Sequence, residues 1–178
     1  IWYPNDGSGA FGLQRIVSTV ADEPQGVAVA DVNSDGIVDI VAASSGDREV
    51  SYFRGLGGGI FDTQFVVGVL GGTVTEVGVA DINLDGLLDI YSATAIGSAS
   101  NLRWFENITL GFGPAQTVPG TAGSGEAIRV MELDGDSDPD FVFGRGFTPQ
   151  LTSIGTIYCP SNANSTGQNG QLEISGTA

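Results

Sequence analysis

Three short stretches of this chain place oxygen-bearing side chains at spacings that suit a hard cation. The first carries Asp31, Asn33, Asp35, Gly36 and Asp39, and the second Asp81, Asn83, Asp85, Gly86 and Asp89. The third reads Glu132, Asp134, Asp136, Asp138 and Asp140, with Ser137 and Pro139 among the acids. An ion such as Ca2+ takes about 6–8 oxygen ligands at ~2.3–2.6 Å. In a tight loop, side chains at positions 1, 3 and 5 converge, and glycine at position 6 permits the reversal because it tolerates positive φ. Position 7 offers its backbone carbonyl and an acid at position 9 closes the shell. The expected ligands are therefore Asp31, Asn33, Asp35, the carbonyl of Ile37 and Asp39, then Asp81, Asn83, Asp85, the carbonyl of Leu87 and Asp89. In the third stretch the longer Glu132 takes position 1 and Ser137 stands where glycine is expected, which predicts a site of altered geometry.

Acids in such loops could instead merely make Asx-turns to their own backbone. Yet two carboxylates ~4 Å apart repel by about 4 kcal/mol at an effective dielectric near 20, an upper-end figure, and a divalent ion removes that repulsion. An EF-hand loop begins alike but needs a bidentate Glu at position 12 between helices. Position 12 here is Ala42 and Ser92, between strand-like flanks.

Composition narrows the chemistry further. The chain has 178 residues, a net charge of −15, no histidine, and six basic residues, all arginine. Nucleophiles that rely on histidine, lysine Schiff bases, phosphate-loop lysines and Cys/His zinc sites are excluded. Strong acidity argues against nucleic acid or an anionic membrane as partner. Eleven of the 21 acidic residues sit in the three loops, too concentrated for a merely solvated face. No apolar run approaches the ~20 residues of a membrane helix. The first residue is Ile1, so the sequence is expected to be a processed or excised piece with any targeting signal out of view. The single Cys159 is expected to pair elsewhere if the protein is secreted.

The elements that must position these loops repeat with them. The loop acids Asp31, Asp81 and Glu132 recur at steps of 50 and 51 residues. Trp2, Tyr52 and Trp104 recur at 50 and 52, and Phe11, Phe61 and Phe112 at 50 and 51. Three independent markers on one spacing establish a repeat. Its apolar runs, such as "QGVAVADV", "DIVAAS" and "EVSYF", are short, rich in β-branched or aromatic residues and bounded by Gly, Asn, Asp and Ser. No window shows a helical stripe, so the chain is all-β. In the first complete repeat, strands are expected at about 26–31, 38–44, 49–54 and 62–68. Four antiparallel strands per ~50 residues make a blade of a β-propeller. Residues 1–20 then supply a half-blade, 21–70 and 71–119 whole blades, and 120–150 the start of another, about three and a half in all.

The stretches "ADVNSDGIVDIVAAS" and "ADINLDGLLDIYSAT", each followed by an aromatic strand and a Gly-x-Phe or Gly-Phe turn, resemble the FG-GAP/VCBS repeats of integrin-type calcium-binding β-propellers. The resemblance covers residues 1–150 and implies the same ligand positions, with Ca2+ in two sites and a third possible. Residues 151–178 depart from it. They read either as degenerate last strands or as a linker to a further C-terminal domain, since "CPSNANSTGQNG" also resembles the lead-in to a C-terminal β-domain of some secreted bacterial repeat proteins. Asn107 and Asn164 fit the glycosylation triplet.

The expectation is an extracellular, secreted or cell-surface propeller segment without enzymatic activity, serving structure, adhesion or assembly. Its partners would be other protein chains, by self-assembly through an incomplete propeller, or surface glycans. A lectin-like module, or the scaffold of a calcium-dependent polysaccharide lyase, is the alternative. A lyase needs a base, and only Tyr3, Tyr52, Tyr91, Tyr158 or an arginine could serve.

Overall fold

A computed structural model of the chain describes residues 1–95, 102–108, 111–119, 125–145, 154–158 and 174–175. These residues form strands, turns and loops, with no helix among them.

The first sheet contains β1 (Pro24–Ala30), β2 (Asp39–Ser44), β3 (Glu49–Phe53) and β6 (Phe65–Val69), in that order and antiparallel throughout. A small hairpin of β4 (Gly55–Gly57) and β5 (Ile60–Phe61) interrupts it between β3 and β6. The second sheet repeats the plan with β7 (Thr73–Ala80), β8 (Asp89–Ala95), β9 (Leu102–Phe105) and β10 (Gln116–Thr117). The third follows with β11 (Gly125–Met131), β12 (Asp140–Arg145), β13 (Ile154–Tyr158) and β14 (Ile174–Ser175). Part of the segment after residue 150 thus joins the third sheet, while Cys159 and Asn164 lie outside the described residues.

Corresponding positions are fixed by register. Val29 faces Ile40, Val79 faces Ile90 and Val130 faces Phe141 across the first strand pair of each sheet. All three first pairs also carry an irregularity near their start, between Pro24 and Gly26, Val74 and Glu76, and Gly125 and Ala127. Repetition of the bulge along with the acidic loop shows that the unit copied is a whole blade.

Residues 1–20 build the outer half of a further blade. Trp2 and Arg15 exchange backbone hydrogen bonds of 2.9 and 2.8 Å, and Asn5 bridges Phe11. Those pairings match Tyr52 with Phe65 and Gly55 with Phe61 in the first full sheet. Arg15 also lies over the Trp2 ring, 5.1 Å from its centre.

The sheets stack face to face because both faces of each are apolar. Val41, Ala43 and Val50 of the first sheet meet Val74, Val77, Ile90 and Phe105 of the second. Tyr91, Ala93 and Leu102, on the opposite face of the second, meet Ile128 and Phe141 of the third. Each fully buried Val, Leu, Ile or Phe among them contributes about 1.5–3 kcal/mol. Gly68 makes one contact possible, since a Cβ there would come 2.6 Å from the Phe105 ring. The first strands β1, β7 and β11 run side by side in succession. This is the arrangement of β-propeller blades, open rather than closed into a ring.

Candidate metal centres

Each acidic loop joins the first two strands of its blade and so falls at the same end of every sheet. Its conformation is the same three times over. Ser34 and Gly36, Leu84 and Gly86, and Gly135 and Ser137 are the left-handed residues, with φ of 59 and 84°, 59 and 88°, and 88 and 74°. Positions 4 and 6 therefore turn left-handed in all three loops, and the third has glycine at 4 and serine at 6. The sequence irregularity at Ser137 leaves the backbone path intact.

In the first loop, Asp31 accepts from the amides of Asp35 (3.0 Å) and Gly36 (2.8 Å). Asn33 Oδ1 accepts from the Asp35 amide at 3.0 Å, and its Nδ2 donates to Asp35 Oδ2 at 3.1 Å. The Ile37 amide donates to Asp35 Oδ1 at 3.0 Å. The second loop copies these contacts through Asp81, Asn83, Asp85, Gly86 and Leu87. In the third loop Gly135 donates to Glu132 at 2.6 Å, Asp136 to Asp134 at 3.2 Å and Asp138 to Asp136 at 2.9 Å.

Glu132, Asp134 and Asp136 bring one carboxylate oxygen each within 4.8 Å of one another, all three exposed. Lost hydration, joined by repulsion from Asp136 and Asp140, pushes the Asp134 carboxyl above its ordinary range. In the first two loops the middle member is Asn33 or Asn83, so the trio has two charges rather than three. The donor set in every loop is oxygen alone, which suits a hard cation and not a thiophilic metal.

The acids at position 9 have a different setting. Asp39, Asp89 and Asp140 are fully buried, and each accepts from the amide seven residues earlier, Val32 (3.0 Å), Ile82 (2.9 Å) and Leu133 (2.8 Å). Asp39 also takes the amides of Asn33 (3.3 Å) and Gly55 (2.7 Å) and the Tyr52 hydroxyl (3.1 Å). Asp89 takes the Asn107 amide at 2.8 Å. Burial pushes the Asp89 carboxyl up, while the amides of Asn107 and Ile82 pull the other way. Burial, reinforced by the Asp39 charge, pushes the Tyr52 hydroxyl up as well. Asp39 and Asp89 thereby clamp the loop to the segment just past the third strand. In the third blade the corresponding oxygen, Asp140 Oδ1, is buried with no partner among the described residues.

Three residues beside the loops carry no signal in the local sequence. Arg54 donates to Asp35 Oδ2 from Nε (3.2 Å) and Nη2 (2.8 Å), which holds the Asp35 carboxyl below its ordinary range. At the matching position of the second blade, Glu106 accepts from Asn83 Nδ2 at 3.4 Å. Asn107 Nδ2 donates to the carbonyls of Val32 (2.9 Å) and Leu88 (3.1 Å), tying the second blade to the first loop. Those bonds bury the nitrogen that a glycan would need.

Compared with known families, the FG-GAP-like repeat matches twice, over residues 31–92 and 81–143, each match starting on the first acid of one loop and running past the next. No curated protein matches the chain. The two matches together span well over half of the 178 residues, and the chain belongs to the FG-GAP-like repeat family.

Proposed function

We propose that this chain is a calcium-stabilised stretch of extracellular β-propeller, secreted or displayed at the cell surface, whose role is adhesion or assembly rather than catalysis. The observation that carries the reading is the triplicate loop: one backbone path, oxygen donors only, and carboxylates gathered at the same end of each sheet. Asp31, Asn33 and Asp35, then Asp81, Asn83 and Asp85, then Glu132, Asp134 and Asp136 are the side chains that would hold an ion. The ion's charge would offset repulsion that the loops otherwise retain. Extracellular modules of this kind bind calcium at ~10⁻⁴–10⁻³ M, so the sites fill outside cells.

At a tenfold excess of calcium over Kd each filled site adds about 1.4 kcal/mol. Melting the protein with millimolar calcium and then with excess chelator tests this. A midpoint that falls by several degrees supports it; an unchanged midpoint ends it. Burial pushes the hydroxyls of Tyr52 and Tyr91 up, which makes these two tyrosines poor bases at neutral pH.

One feature favours the carbohydrate alternative. A cleft of about 350 Å³ is lined by the rings of Tyr52, Phe65 and Phe112 and by Arg54, Asp62 and Gln64. Gln64 Oε1 is buried there without a partner. Rings beside hydrogen-bonding groups suit a sugar, and a glycan array with a Gln64→Ala control separates this reading from assembly alone.

A further inference from the structure

The first full blade is covered on one face by the second blade and on the other only in part. On the partly covered face Phe53 is 2% exposed, and Trp2 of the N-terminal half-blade lies against Gly59, whose Cβ would fall 2.2 Å from the indole. The inner strand β1 has no such cover. Val27 is 62% exposed and Val29 59%. Register makes Val77 and Ile128 the equivalents of Val27, and these are 5% and 0% exposed. What buries them is the preceding blade, whose first two strands lie against them. In the first blade those strands offer Ala28, Ala30, Val41 and Ala43, with Gly26 directly against the backbone of Glu76 and Val77.

We propose that the Val27–Val29 face is a docking surface for a β-hairpin of this same repeat type, which adds as the first two strands to residues 1–20 and completes a fourth blade. Two internal interfaces already display the chemistry of the occupant. Its inner strand carries Gly or Ala at alternate positions, its second strand Val or Tyr followed two residues later by Ala, and its loop ends in a buried Asp. That Asp also has a partner waiting. Gly55 and Asn107 each donate a backbone amide to the closing Asp of their own blade, at 2.7 and 2.8 Å. Asn5 holds the same place, since its bridge to Phe11 matches Gly55 with Phe61 and Asn107 with Phe112. The inference rests on the blade architecture and is independent of whether calcium fills the loops.

The test joins a second copy of residues 21–50 directly to Ile1, which keeps phase because Ile1 stands where Ser51 stands. The extended chain is expected to melt at least roughly 3 °C higher than the original, on the scale of 1 kcal/mol or more for a chain of this size. Amide exchange across Val27–Val29 is expected to slow at least about tenfold, a change of about 1.4 kcal/mol. Val27→Asp should erase both gains in the extended chain and leave the midpoint of the original chain unchanged, since Val27 is exposed there. Melting and exchange that do not respond to the extension overturn the proposal, as do gains that survive Val27→Asp. Sedimentation of the original chain as a dimer that Val27→Asp dissociates would replace the hairpin by a second copy and overturn it too. A chelator-insensitive gain upholds docking even if the calcium reading fails.

Discussion

Arg54 and Glu106 stand at the same place in successive blades and meet the acidic loops with opposite charge: the guanidinium holds Asp35 at 2.8 Å, while the carboxylate accepts from Asn83 at 3.4 Å. The first loop therefore carries a built-in cation against one of its ion-binding oxygens, and the second an additional acid. Calcium should fill the second loop first. Gly36 and Gly86 give each loop its own amide signal in a calcium titration. Arg54→Gln is expected to tighten the first loop about two- to fivefold, the scale of an exposed ion pair. Glu106→Gln should weaken the second by a similar factor. Simultaneous saturation in the parent protein, unmoved by either change, would remove this ordering.

The same pair sets an acid dependence. Arg54 holds the Asp35 carboxyl below its ordinary range, and Asp35 in turn holds the Arg54 guanidinium above its own. A carboxyl depressed in the folded state lends stability above its unfolded pKa, about 3.9, and that stability is lost as pH falls through the folded value. Calcium-free protein should therefore melt higher than its Arg54→Gln variant at neutral pH, and the two should converge at the acid end. A gap that persists in strong acid would assign the difference to packing of the arginine stem.

Ser137 supplies a change that should stabilise. Its φ of 74° lies in the left-handed region that costs an L-residue roughly 1–2 kcal/mol, and glycine occupies the matching place in the other loops. Ser137→Gly is expected to recover about 0.5–1.5 kcal/mol after glycine's greater freedom in the unfolded chain is discounted. Urea unfolding of the two proteins measures it. A neutral or negative change would mean that the serine hydroxyl contributes something glycine cannot.

Local pattern in the sequence was enough to place the strands. Expected runs at about 38–44 and 49–54 became Asp39–Ser44 and Glu49–Phe53, because short β-branched stretches between turn residues leave little choice. The last strand of that blade was expected from about 62 and begins at Phe65, since Gly55 to Phe61 first fold into their own hairpin. Repetition carried the blade plan, and acidic spacing carried the loops. What stayed hidden depends on partners distant in sequence. Asn107 reads locally as a glycosylation triplet, yet its amide nitrogen bonds a carbonyl 75 residues away in another blade. Arg54 reads as one scattered charge until the register aligns it with Glu106. The closing acids read as ligands, and their added bonds to Gly55, Tyr52 and Asn107 become visible only once the second and third strands of each blade pair.

Asp39 separates those two roles, clamp and ligand, in one substitution. Its oxygens, themselves fully buried, accept from Val32, Asn33, Gly55 and Tyr52. Asp39→Asn keeps the shape but turns one acceptor into a donor that faces donors. Hydrogen bonds to a charged group are worth about 1.5–3 kcal/mol each, and a buried donor left without a partner costs a further 1–3. A loss of about 2–4 kcal/mol is expected, some of it recovered by shifts in the loop. If the clamp is the main role, that loss appears in full in chelator, where no ion is bound, and added calcium does not restore it. If Asp39 served chiefly as a ligand, parent and variant would melt together in chelator and diverge only as calcium is added. Paired melts at both extremes of calcium decide between them, with Asp31→Asn, at the exposed mouth of the loop, as the variant expected to show the second pattern.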